Sequence, residues 1–271
     1  MIFDFARRDL RALAEPHARP ASERTEPVSE AVDRAVADDR ALWTAAMRAR
    51  QSLVLHVTGR LGGLVSRTEV SRFTATLLAV PRERFVLPEH IASSADDVPS
   101  PLDEAGLATV SAPHAYVLTY AILGLREGDH LVELGTGTGY GAALASHVVG
   151  AGGQVTSIEI DKALYARARR LLDAPDARGP GPIALHCGDA RVLALDLVAT
   201  ARGDARPLRI AFTYALSDKP ESMLALLPEG GRLVAPVGPS ENRQKLVLWT
   251  REHGSLREET HGSVRYVTER R

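Results

Sequence analysis

From residue 130 onward, short apolar runs of strand length recur at HLVEL (130–134), QVTSIEI (154–160), IALHC (183–187), LRIAFTYA (208–215) and GRLVAPV (231–237). Between them lie segments that read as helices over 140–149, 161–173, 191–201 and 220–227. Near-continuous apolar strands alternating with helices predict a parallel sheet covered on both faces. Two further runs, QKLVLWTRE (244–252) and SVRYVTER (263–270), are joined by polar residues without a convincing helix, so they are expected as an antiparallel edge. The expected fold is α/β: a doubly wound, mostly parallel seven-stranded sheet, Rossmann-like, with an antiparallel C-terminal edge.

Before residue 130 the pattern is helical and then irregular. Residues 1–30 mix Pro16, Pro20 and Pro27 with charges of both signs, which suits a partly ordered arm with one short helix at 3–14. Apolar positions at helical spacing (Val32, Val36, Leu42, Ala46) predict a helix within 30–60, ending at the cluster of Gly59, Gly62 and Gly63. A second helix is expected over 67–80, stopped by Pro81, and a third from Pro113 to Leu123. The intervening segment 86–107 is rich in Pro, Ser and Asp and reads as loop. The division expected is an N-terminal extension over 1–40, a helical region with its loop over 41–107, and the main core over 108–271.

Composition narrows the partners. With Lys+Arg 33 against Asp+Glu 34 the net charge is -1, so nothing electrostatic announces a nucleic acid or an anionic membrane, and neither is expected as a partner. Cys187 is the one cysteine, so no internal disulfide forms; on an apolar strand it is expected to pack in the core. No run approaches the roughly 20 apolar residues of a membrane span, and the N-terminus lacks a secretory apolar core, so a cytoplasmic location is expected. The nine histidines show no metal-binding spacing, and no metal is expected.

The chemistry concentrates at VELGTGTGYGA, a glycine turn between the first parallel strand and its helix. A nucleotide-like cofactor sits at that place in a doubly wound sheet. A dinucleotide loop needs G-x-G-x-x-G, but the third position after Gly135 and Gly137 falls on Tyr140; the spacing is instead Gly135-x-Gly137-x-Gly139, preceded by Glu133. This pattern looks like the loop of class I S-adenosylmethionine (SAM) methyltransferases, with Glu133 available to the cofactor's ammonium. Glu159, ending the second strand 20 residues after Gly139, is placed to accept hydrogen bonds from ribose hydroxyls, while Asp161 is expected to cap the following helix. Asp189, ending the third strand, is placed either to accept from an adenine amino group or to cap the next helix, and the two roles are compatible. Thr136, Ile160 and Ala190 flank these positions and complete the expected cofactor set.

A second cluster, ATVSAPHAY (108–116), places two hydroxyls and an imidazole within six residues. Ser111 lacks the G-x-S-x-G context of a nucleophile elbow; as a plain structural residue it would cap the helix that opens at Pro113. His114 is expected to support the start of that helix rather than to move protons.

With these residues in place, the chain from about 67 to 270 resembles the protein-L-isoaspartate O-methyltransferases. The matching stretches are LLAVPRERFV (77–86), ATVSAPHAY, GDHLVELGTGTGYGAALAS (128–146), VTSIEIDKALYARAR (155–169), GDAR (188–191), LLPEGGRLVAPVG (226–238) and VRYV (264–267). The resemblance implies transfer of the SAM methyl to a free carboxylate of a peptide or protein, in repair enzymes the α-carboxylate of an isoaspartyl residue, followed by closure of the ester to a succinimide. It maps the family's Thr-x-Ser pair, on the acceptor side, onto Thr109 and Ser111. It also implies an acceptor mouth at the end of the fourth strand, Thr213 and Tyr214, and a backbone-holding edge near Val264 and Tyr266.

Three departures concern the acceptor: the N-terminal arm, the acids in PLDEA (101–105), and the bulky residues in TYAL (213–216). They keep open a second expectation, a tailoring enzyme that methylates an Asp of one ribosomally made peptide. A non-catalytic SAM-binding module is a third. Oligomeric state is not legible.

Overall fold

The structure is a computed structural model, and it describes residues 40–59, 61, 65–201, 203, 205–239 and 243–269. The expected arm, its helix at 3–14 and the start of the helix expected within 30–60 lie outside the described residues. Two helices lead the fold, α1 (Arg40–Gly59) and α2 (Arg67–Ala79). The second opens on a capping box: the Glu69 N–H donates to the Ser66 hydroxyl, and the Glu69 carboxylate accepts from the Ser66 N–H at 2.9 Å.

A short 3-10 turn at Arg82–Arg84 precedes the segment expected as loop, which itself contains a second at Pro88–His90. That segment ends in a small hairpin that pairs β1 (Ser100–Pro101) with β2 (Thr109–Val110) antiparallel. Helix α3 (Pro113–Leu123) follows, with proline at its first position, where the missing N–H costs nothing, and Gly124 at φ 60 as its C-cap.

The core alternates β3 (His130–Leu134), α4 (Tyr140–Val149), β4 (Gln154–Glu159), α5 (Lys162–Asp173), β5 (Ile183–Cys187), α6 (Ala190–Ala201), β6 (Leu208–Phe212), α7 (Glu221–Leu226) and β7 (Arg232–Val237), then β8 (Gln244–Glu252) and β9 (Ser255–Val264). These strands form one seven-stranded sheet in the order β5-β4-β3-β6-β7-β8-β9, parallel from β5 to β7 and antiparallel beyond. The chain steps outward from β3 to β5 and then returns to lay β6 against β3, so the sheet's switch point lies between the carboxyl ends of β3 and β6.

Strand alternation supplies both faces. Leu131, Ala211, Val234 and Leu248 pack toward α1 to α4, whereas Val132, Ile210, Leu233 and Val247 pack toward α6 and α7. Thus α1 and α2 share the hydrophobic cluster of the sheet. Among the described residues no helix is long and apolar enough to cross a membrane, and no three His, Cys, Asp or Glu side chains group as a metal site.

Two expectations need correction. The last strand runs over Ser255–Val264 rather than 263–270. His253 (φ 52) and Gly254 (φ 73) make a two-residue turn, with Glu252 opposite Ser255, as primed hairpin turns require. The strand after it is partly or fully exposed along its whole length, so it carries no apolar alternation to read. Cys187 is exposed, not packed in the core: it is the last residue of β5, the outermost parallel strand.

Candidate active site

At the switch point the first strand ends in the glycine turn. Gly135, Gly137 and Gly139 take φ values of 101, 58 and 93, a region in which side chains are strained. Gly135 is further restricted by space. The Thr213 hydroxyl, from the end of β6, donates to the carbonyls of Leu134 (2.9 Å) and Gly135 (2.7 Å), so that a Cβ on Gly135 would stand 2.2 Å from that oxygen. The turn is thereby tied across the switch point to the neighbouring strand.

Two carboxylates flank the turn in different environments. Glu133 is buried under it, accepting from the Ser157 hydroxyl at 2.7 Å, and Ser157 in turn shares a 2.6 Å hydrogen bond with Thr136. Burial pushes the Glu133 carboxyl up to about 8, against the effect of the Ser157 bond. Gly141, which the sequence reading did not single out, leaves room for it: a Cβ there would lie 2.1 Å from Glu133 Oε1.

Glu159 closes the other side. Its carboxylate accepts from the N–H of Gly137 at 2.7 Å and of Asp161 at 3.0 Å. Asp161 caps α5, accepting from the N–H groups of Ala163 and Leu164. Asp189 accepts from the Arg191 N–H near the start of α6, and both its oxygens hold the Arg191 guanidinium, which keeps the carboxyl below its usual range.

These groups open onto one cleft, lined by Thr109, Gly135, Gly137, Glu159, Ile160, Asp189, Ala190, Thr213 and Tyr214 among others. Nine of the residues expected from sequence therefore share one cavity wall. Glu133, Thr136 and Gly139 sit behind or at the end of the turn, outside the lining, and Ser111, two residues after Thr109, is outside it as well. A separate polar recess near Tyr165, Arg169 and Arg178 lies away from the glycine turn and brings none of these groups together.

The β1–β2 hairpin lies across the turn: a Cβ on Gly137 would meet the Leu102 side chain at 3.8 Å and the Thr109 carbonyl at 3.9 Å. Asp103, one of the acids in the departing stretch, accepts from the Leu107 N–H at 2.8 Å and is folded into its own turn, while Glu104 is exposed. Ser111 does not cap α3. The N-cap is Ala112, without a side-chain bond, and the Asp97 carboxylate serves instead, accepting from the His114 N–H at 3.0 Å while bonding its Nδ1 at 2.9 Å. The Ser111 side chain engages the Tyr116 hydroxyl.

The C-terminal wall differs from expectation. Val264 and Tyr266 do not line the cleft; the Tyr266 phenol turns inward to Thr119, and its N–H donates to Gln244. Val267, Thr268 and Glu269 line it instead, because Ala215 binds this segment through its N–H to Val267 and its carbonyl to Glu269. Tyr214 fills the space beside Gly135 and packs edge-on to Phe212 at 5.6 Å.

A doubly wound sheet with a glycine turn at its switch point and acids ending the adjoining strands is the arrangement of class I methyltransferases. Comparison with known proteins narrows this. The model of the family described as Protein-L-isoaspartate(D-aspartate) O-methyltransferase (PCMT) matches residues 62–270. The chain is 35% identical over 188 residues to Protein-L-isoaspartate O-methyltransferase 2 of Archaeoglobus fulgidus, covering 69% of this chain and 80% of that protein. It is 34% identical over 189 residues to the Protein-L-isoaspartate O-methyltransferase of Rhodopseudomonas palustris, covering 70% and 80%. A solved protein-L-isoaspartate O-methyltransferase superposes with a TM-score of 0.66 at 26% identity, over 81% of this chain and 65% of that one. The fold is also that of a putative Plasmodium falciparum enzyme in complex with S-adenosyl-L-homocysteine, with a TM-score of 0.61 at 20% identity over 81% and 97%. The chain belongs to the protein-L-isoaspartate O-methyltransferase family, whose cofactor is SAM.

Proposed function

We propose that this protein transfers the methyl group of SAM to the free α-carboxylate of an isoaspartyl residue in a peptide or protein; its relatives are named for O-methylation of protein L-isoaspartate. The observation that carries the reading is the Thr109 strand laid across the glycine turn, so that an acceptor-side hydroxyl and the Glu159 carboxylate share one cleft. In this division the segment 41–107 shapes the acceptor side and 108–271 forms the methyltransferase core.

The cleft suits the cofactor on chemical grounds. Glu133 is a carboxyl whose burial raises its pKa to about 8, so an ammonium brought near it, directly or through water, would compensate its charge. Glu159 is the acceptor for ribose hydroxyls, Asp189 for the adenine amino group, and Ile160 and Ala190 supply apolar contact, with Gly135, Thr136, Gly137 and Gly139 shaping the turn. When bound, SAM supplies an electrophilic methyl on a sulfonium.

The acceptor is already a nucleophile. A free α-carboxylate has a pKa near ~3.5 and is ionised at neutral pH, so no base is required. The protein's task is alignment, which contributes on the order of 7–11 kcal/mol when geometry is held. Thr109 and Ser111 are the donors that orient the acceptor carboxylate without neutralising it, and Thr213, Tyr214 and the segment from Val264 to Glu269 form the rest of its surroundings. Esterification turns a poor leaving group into an alkoxide, so the neighbouring backbone nitrogen can close the succinimide.

The test offers labelled SAM with matched isoaspartyl and aspartyl peptides and measures base-labile methyl ester. Label confined to the isoaspartyl peptide is expected. Absence of label on it, with SAM still bound, would overturn the assignment.

A further inference from the structure

The stretch LLAVPRERFV (77–86) contributes nothing to the cleft lining, yet its arginine reaches the acceptor side from beneath. We propose that Arg82 is a positioning residue for methyl transfer, setting the orientation of Ser111 by gathering both ends of the β1–β2 hairpin onto one guanidinium. The inference rests on the reading of Ser111 as an acceptor donor.

Arg82 is 1% exposed, and among the described residues it makes no ion pair. Its hydrogen bonds go to backbone carbonyls, and the nearby carboxylates of Asp96 and Asp97 favour its charge without pairing with it. Nη1 donates to Ser94 (2.8 Å) and Asp96 (3.2 Å), and Nη2 to Val98 (2.8 Å), Val110 (3.4 Å) and Ser111 (3.3 Å). The first three carbonyls precede β1, while Val110 ends β2 and Ser111 follows it, so one planar group fixes the separation of the hairpin's two ends. Burying a cation without a counter-ion is costly, and only dense coordination by dipoles makes it tolerable. A loop that needed only fastening would be served by an apolar contact.

The Ser111 peptide is held on its other side as well. Its N–H donates to the Tyr116 hydroxyl at 3.2 Å, and the Tyr116 ring meets Tyr140 edge-on at 5.3 Å, at the first residue of the helix after the glycine turn. Asp97, in the loop whose carbonyls Arg82 holds, is fastened to the start of α3 through His114. With both its N–H and its carbonyl bonded, Ser111 has a fixed peptide orientation, and hence a fixed direction for its Cα–Cβ bond. A lysine at position 82 would place three donors on one nitrogen and could not span two sets of carbonyls.

The experiment measures turnover of an isoaspartyl peptide, calorimetric affinity for S-adenosyl-L-homocysteine and thermal stability, for the parent, Arg82→Lys, Ser111→Ala and the double variant. Arg82→Lys is expected to lower kcat by about tenfold to a hundredfold, with KM within about threefold and cofactor-product affinity within about twofold. In the Ser111→Ala background the same change should cost less than about threefold, because both act through one group. Tyr116→Phe, which keeps the ring and removes the hydroxyl, should lower kcat by about threefold to tenfold at unchanged affinity, and it serves if Arg82→Lys does not fold. Full additivity, or parallel loss of turnover and cofactor-product affinity, overturns the inference alone. Parent-like turnover of Ser111→Ala would instead overturn the reading of Ser111 on which it stands.

Discussion

The two walls of the cleft are built on different scales. On the cofactor wall, each functional group sits within a few residues of the strand end that carries it: Gly135 to Gly139 after β3, Glu159 as the last residue of β4, and Asp189 two residues after β5. The side proposed for the acceptor is assembled over long chain separations: Ala215 binds the segment that brings Val267 and Glu269 into the lining, and Arg82 binds the Ser111 carbonyl next to the Thr109 strand. A strand-end motif keeps its geometry wherever the sheet is intact, whereas a wall drawn from three distant segments changes with any one of them.

Breaking the cofactor wall should have the largest effect. Gly135→Ala combines a positive φ with a Cβ 2.2 Å from the Thr213 oxygen, so affinity for S-adenosyl-L-homocysteine should fall more than about a hundredfold by calorimetry. Parent-like affinity would show that the turn tolerates what its geometry forbids. Glu159→Ala should weaken the same binding by about 1.5–3 kcal/mol, roughly tenfold to a hundredfold, with the KM for an acceptor peptide unchanged. A shift in that KM would mean the walls are not separable.

Glu133 gives the comparison a pH axis. Its folded carboxyl is raised from 4.5 to about 8, so the folded state holds a proton the unfolded state has lost, and this group's contribution to stability falls as pH rises from about 4.5 to 8. The slope for a single group is at most about 1.4 kcal/mol per pH unit. Without cofactor, Glu133→Gln should gain stability over the parent at pH 8 relative to pH 5 in denaturant titrations; an identical pH dependence of the two proteins would contradict the burial argument. Affinity for SAM should rise with pH across 6 to 8 in the parent and lose that rise in the variant.

The smallest effect belongs to the hairpin tip. Glu104 is exposed and Asp103 is occupied by its own turn, so Glu104→Gln should change kcat/KM for an acidic acceptor peptide by less than about twofold. A larger gain would place the tip against the acceptor after all.

Much of the cofactor wall was legible because its signals are local. The glycine spacing, the acid ending β4 and Asp161 as helix cap follow from steric and capping rules that operate within a few residues. What escaped reading shares the opposite cause. Arg82 and Glu83 in RER resemble a solvated charge run, yet both are buried, because carbonyls from 94 to 111 surround the one and Arg50 pairs with the other at 3.0 Å. The cleft's C-terminal lining could not be placed before the pairing of Ala215 with Thr268 was known. Ser111 is a candidate cap by sequence, but in the fold the Asp97 carboxylate takes that role.

The alternation of parallel strands and helices, the glycine turn with its acids, and the family are all legible in local features: periodicity, backbone φ and spacing along the chain. The C-terminal lining of the cleft, the peptide orientation of Ser111 and the position of the last strand come from the folded chain. Those features rest on hydrogen bonds and packing between segments far apart in the chain, and no local preference specifies such partners.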